Sequence, residues 1–199
     1  MPSSAQPVAD LLADLQRALR GAGLRWFLFG AQAAILHGVA RLSADVDVTV
    51  DLGARSSRDL AGILTAGGFD LLVSETGGFV EATRVMPFVH RASGMPVDVV
   101  LAGPGLEEQF LARAEIHHVG GAAIPVARAE DLIAMKILAG RPRDLEDVAA
   151  VVRARRADLD LEHARGILRL LEGALGRADL LMELDRIVRA IGGPGDRGA

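Results

Sequence analysis

Two aspartates one residue apart, Asp45 and Asp47, open the run "DVDVTVDL", whose valines otherwise suit a buried strand. In a strand, residues i and i+2 point to the same face. Both carboxylates are therefore expected side by side, where like charges repel and raise a pKa unless a cation lies between them. A third acid, Asp98, sits among valines in a later extended run, "PVDVVLA". Three carboxylates on two adjacent strands could hold one or two Mg²⁺ (or Mn²⁺) ions. Hard cations take oxygen ligands, and Mg²⁺ combines few carboxylates with substrate phosphates. Such ions activate an attacking oxygen and neutralise charge on a transferring phosphoryl group. The plainer alternative is a charged strand edge that discourages aggregation, with Asp98 a structural acid.

Just upstream, "FLFGAQAAILHG" reads as strand, glycine, short helix. Gly30 at that junction lets backbone N–H groups approach a phosphate, and the helix N-terminus favours its negative charge. Farther along, Lys136 is the only charge in "LIAMKILAG". It suits a point contact to phosphate, or it snorkels to solvent along its stem. Asp144 opens the next helix, where a carboxylate also suits the helix dipole. Asp147, one turn on, is the weaker candidate. His37, His117 and His118 read as structural, and the cluster Arg153–Arg156 as a solvated helix end or an RNA phosphate contact.

The elements that must place these residues follow from periodicity. Leucines at helical spacing predict a helix over 8–22, and "RWFLFG" a short buried strand. Residues 45–51 form the acid-bearing strand. Ser56 caps a helix that stops at Gly67 and Gly68. "FDLLVS", "EATRVMPFVH" and "PVDVVLA" read as extended, a helix follows over 105–114, and "IHHVGGAAIPV" reads as a hairpin. From 128 the pattern is helical. The expectation is an α/β (α+β) chain with a mixed sheet flanked by helices. Its core spans 1–127, a helical part packed on it spans 128–191, and a disordered tail spans 192–199.

Half of the 199 residues are apolar, which supports a sizeable core. Cysteine is absent, which excludes disulfides and thiolate chemistry and fits a cytoplasmic location. No signal peptide or spanning segment is legible. The net charge of −4 argues against broad nucleic-acid binding while leaving room for a local basic patch.

Gly30-Ala31, Asp45-x-Asp47 and the later Asp98 together resemble the nucleotidyltransferase superfamily, whose fold is shared with DNA polymerase β. "GAQAAILHGVARLSADVD" and "EDLIAMKILAGRPRDLEDV" resemble more closely two blocks of the AbiEii/AbiGii-like and MenT-type toxin nucleotidyltransferases, "GG.A..HG..R.T.DID" and "LIAMK…R.KD..D". The resemblance covers about a quarter of the chain. It implies transfer of a nucleoside monophosphate from an NTP to an acceptor such as a tRNA 3′ end, and a cognate antitoxin as partner. It implies metal ligation by Asp45, Asp47 and Asp98, and catalytic roles for these three, Lys136 and Asp144. Gly30, Ala31, Arg41, Ser43 and Lys136 would contact the nucleotide. Ala31 departs from the pattern, because many members have Ser or Gly there and an alanine offers phosphate no hydroxyl. Two alternatives stand beside the toxin reading: nucleotidyl transfer to an aminoglycoside-like small molecule, and a catalytically weak nucleotide-binding module.

Overall fold

The computed structural model describes residues 5–73 and 78–192. The expected tail lies outside them apart from Gly192, as does Ser74 of "FDLLVS". The chain divides into two compact units. One comprises Met1–Gln32 and Leu42–Ala127, the other Ala33–Arg41 and Arg128–Ala199.

The first unit is built on seven strands: β1 (Arg25–Phe29), β2 (Val46–Asp51), β3 (Phe69–Leu71), β4 (Val85–His90), β5 (Pro96–Leu101), β6 (Glu115–Val119) and β7 (Ala122–Val126). They form one mixed sheet in the order β3-β4-β5-β2-β1-β7-β6. β2 runs parallel to β5, and β1 parallel to β7 through the single register pair Leu28–Val126. The remaining neighbours are antiparallel. Helix α1 (Ala5–Gly21) buries Leu11, Leu12, Leu15 and Leu19, the stripe its spacing predicts. That helix packs on β1, β7 and α3 (Ser57–Ala66). Ser56 begins α3 with a reciprocal capping box to Asp59.

Strand register decides what reaches the candidate site. Pro87, Asp98, Asp47 and Phe29 are successive cross-strand partners on β4, β5, β2 and β1. Directly paired residues share a face, so these four side chains form one row. The next row, Met86, Val99, Val48 and Leu28, falls on the opposite face and is fully buried. The sheet is thus closed on one side by core, and the acids emerge on the other.

Two extended readings are corrected. Residues 81–83 of "EATRVMPFVH" belong to a short helix, α4 (Phe79–Thr83). Thr83 Oγ1 donates to the Phe79 carbonyl and accepts from Val85 N–H, closing the turn, and Arg84 leaves it in the left-handed region at φ 58°. The strand starts only at Val85. β2 likewise begins at Val46, so Asp45 stands one residue before the ladder.

α5 (Leu106–Arg113) completes the first unit against β1, and α2 (Gly30–Leu36) carries the chain out of it. The second unit holds α6 (Ala129–Ala139), α7 (Pro142–Ala154), α8 (Leu161–Leu175) and α9 (Leu180–Ile191). α6 is central, touching the other three. It is buried around most of its circumference, as a helix without a polar face must be. Gly140 ends it at φ 64°, and Pro142 begins α7 in the first turn, where its missing N–H costs nothing. Segment 33–41 joins this unit, with Ala33, Ala34 and Val39 buried. Among the described residues no helix is long and apolar enough to cross a membrane.

Candidate active site

Gly30 closes β1 and opens α2 with φ at 66°. An L-residue there is strained by roughly 1–2 kcal/mol. A more specific reason for glycine is space. A β-carbon at position 30 would lie 1.9 Å from Asp47 Oδ2 and 2.7 Å from its carboxyl carbon. The Asp47 carboxylate therefore rests against the Gly30 backbone. The antiparallel pairing of Phe29 with Asp47 brings the two together. Ala31 is half-buried at the next position and carries only a methyl.

Asp98 stands directly beside Asp47 on the parallel neighbour β5. Although the residue is exposed overall, its carboxyl titrates above the ordinary aspartate value. Desolvation is the larger cause and the negative charge of Asp45 the second. Asp45 is exposed, and Ser43 Oγ donates a short hydrogen bond to its Oδ1. The Ser43 carbonyl in turn accepts from Gln32 Nε2 at 3.2 Å. The first unit thus gathers Gly30, Ala31, Ser43, Asp45, Asp47 and Asp98, and adds Gln32, which sequence reasoning passed over. The signal for Gln32 was its place in the first turn after Gly30.

Among the described residues, no group of three or more His, Cys, Asp or Glu side chains is gathered closely enough to hold a metal ion. The three acids do not form a finished cage. The donor set nevertheless suits Mg²⁺, which binds through one or two carboxylates and completes its shell with water and phosphate oxygens. The in-register pair Asp47–Asp98 supplies those carboxylates from the sheet.

In the second unit Lys136 is buried, and its Nζ donates to Asp147 Oδ2 at 2.7 Å and to Asp144 Oδ1 at 3.1 Å. Arg41 Nη1 donates to Asp147 Oδ2 at 2.6 Å, and Arg141 Nε to Asp144 Oδ2 at 2.7 Å. Burial alone would raise the Asp144 pKa, but hydrogen bonds from Arg141 and Lys136, with their charges, hold it below the ordinary value. Three cations and two carboxylates therefore form one network on 41, α6 and α7. Lys136 does not snorkel. Asp147, the weaker sequence candidate, is the hub that joins Lys136 to Arg41. Its spacing from Asp144, three residues on a helix, was the signal that both share a face. His37 is buried, with Nδ1 2.9 Å from Arg155 Nη1, and Arg155 also holds Asp158.

No model of a known protein family matches the sequence, and no curated protein matches it. Solved structures do. The antibiotic-resistance factor ANT(2'')-Ia superposes with a TM-score of 0.60 at 14% identity, over 86% of this chain and 95% of that one. An antigenic nucleotidyltransferase-like protein from Paracoccidioides brasiliensis superposes with a TM-score of 0.58 at 18% identity, over 93% and 95%. The seven-stranded mixed sheet with its flanking helices is the nucleotidyltransferase fold.

Proposed function

We propose that the protein is a metal-dependent nucleotidyltransferase, which moves a nucleoside monophosphate from an NTP to an acceptor hydroxyl and releases pyrophosphate. The observation that carries this reading is Asp47, which lies against Gly30 at the β1–α2 turn with Asp98 as its register partner on β5. A fold hosts many activities, and it is these acids rather than the superposition that support the reading. Asp47 and Asp98, with Asp45, would hold Mg²⁺ or Mn²⁺. When bound, the ion neutralises charge on the reacting phosphate.

The transfer balances simply. The acceptor oxygen forms a bond to the α-phosphorus, the bond from that phosphorus to the bridging oxygen breaks, and pyrophosphate leaves. The acceptor's proton goes to a carboxylate. Asp98 suits that role by position, since it stands beside Asp47 on the neighbouring strand. Gly30 keeps backbone close to where phosphate would lie, and Ala31 adds no hydroxyl. Lys136, Arg41 and Asp144 belong, with Asp147 and Arg141, to a charge network within the second unit.

Two acceptor classes are in play. The two sequence blocks favour the 3′ end of a tRNA, with a toxin role and a cognate antitoxin. Similarity of fold to an antibiotic-resistance factor favours a small aminoglycoside-like acceptor. Incubating the protein and Mg²⁺ with each NTP labelled on its α-phosphate, and with tRNA or aminoglycosides, separates them. Label in tRNA that Asp47→Asn abolishes supports the toxin reading. Label in the aminoglycoside supports the other. NTP binding without transfer to either identifies a nucleotide-binding module and overturns the enzyme assignment.

A further inference from the structure

We propose that Gln32 and Ser43 are positioning residues that aim the Asp45 carboxylate at the metal site. This inference rests on the nucleotidyl-transfer reading. The Asp47 carboxylate rests on the Gly30 backbone, and strand pairing sets Asp98 beside it. Asp45 has neither support, since it is exposed and precedes the first residue of β2. An unrestrained surface aspartate samples several rotamers, whereas Mg²⁺ demands near-ideal octahedral geometry. Something must hold the side chain still.

The restraint is a two-step chain of hydrogen bonds. Gln32, 7% exposed, lies in the first turn of α2, two residues after Gly30. Its Nε2 donates to the Ser43 carbonyl at 3.2 Å and ties the 42–45 loop to that turn. Ser43 Oγ then donates to Asp45 Oδ1. A buried primary amide is unfavourable unless bonded, and leucine would fill the same volume without that cost. The amide at 32 is therefore explained by its bond to the loop. The bond at Oδ1 restrains the carboxylate and leaves it with further lone pairs for a metal ion. Such outer partners fix ligand orientation, and removing one weakens metal affinity about 10–100-fold.

This role differs from a direct contact between Ser43 and nucleotide, and one set of measurements separates them. Mn²⁺ alone is titrated into the full chain and free ion followed by electron paramagnetic resonance. Wild type is compared with Ser43→Ala, Ser43→Thr, Gln32→Leu and Asp45→Asn. Thermal melts without metal check folding, and KM for NTP is measured alongside. The expected result is a Kd for Mn²⁺ raised about tenfold or more in Ser43→Ala and Gln32→Leu. Ser43→Thr, which keeps the hydroxyl, stays close to wild type, and Ser43→Ala melts like wild type because its bond is exposed. If Ser43→Ala binds Mn²⁺ normally while Asp45→Asn does not, the positioning role is overturned and the metal reading stands. A raised KM for NTP with unchanged Mn²⁺ affinity would make Ser43 a nucleotide contact instead. If wild type binds no Mn²⁺, or Asp45→Asn binds it as wild type does, the metal reading itself fails.

Discussion

The Asp47 carboxylate fills the space that a side chain on residue 30 would need: an added β-carbon would sit 1.9 Å from its Oδ2. Gly30 is thus tied to the acid by contact as well as by backbone shape.

Gly30→Ala should therefore damage activity far more than stability. The left-handed backbone adds roughly 1–2 kcal/mol of strain. Displacing Asp47 by about 1 Å costs on the order of a hundredfold in rate. Urea unfolding and single-turnover kinetics on the same preparation measure both. A variant with wild-type rate would show that Asp47 need not rest on residue 30.

Asp98 gives a pH signature. Its pKa is raised by desolvation and by Asp45, so the folded state holds this proton more tightly than the unfolded chain does. Stability is lost as pH rises from the ordinary aspartate value through the raised one, and the loss persists at neutral pH. Asp98→Asn should then melt higher than wild type at pH 7 without metal, with the difference closing below the ordinary aspartate range. Asp45→Asn should move the Asp98 midpoint downward, read from carboxyl-carbon chemical shifts. An unmoved midpoint would remove Asp45 as a cause.

Lys136→Met tests the second network. Removing one partner of a buried ion pair costs about 3–5 kcal/mol, because the remaining charges stay buried. Here Asp144 and Asp147 would keep only Arg141 and Arg41. The urea midpoint should fall accordingly, and adding Asp147→Asn should recover part of the loss. A midpoint like that of wild type would mean that the arginines suffice.

Asp144 acts in the opposite sense to Asp98. Its folded pKa is depressed, so its stabilisation is complete above the ordinary aspartate value and lost as pH falls through the lowered one. Asp144→Asn should flatten this part of the acid-unfolding curve in circular dichroism. An unchanged acid limb would assign that stabilisation to other carboxylates.

Local patterns in the sequence were enough to find the strand–Gly–helix turn, the acid-bearing strands and the helical character of the chain after residue 128, because each depends on residues close in the chain. The start of β2 was read too early. An Asp-x-Asp spacing looks the same whether its first acid lies inside the ladder or just before it. "EATR" was read as strand because its apolar neighbours mask a single helical turn closed by Thr83. The pairing of Asp47 with Asp98 could only be guessed, since register between residues 51 apart is set by the whole sheet. Lys136 looked like a lone charge because its two acids lie on the following helix.

The second unit takes one of its pieces from far upstream. Segment 33–41, with buried Ala33, Ala34 and Val39, belongs with helices that begin only after residue 128. On the ribosome, at about 5–20 residues per second, that segment waits on the order of 4–17 seconds before the first of those helices is begun. Throughout that interval its apolar side chains lack their partners in the second unit. A product cut short after residue 127 would retain every sheet strand and still present an unfinished surface to chaperones.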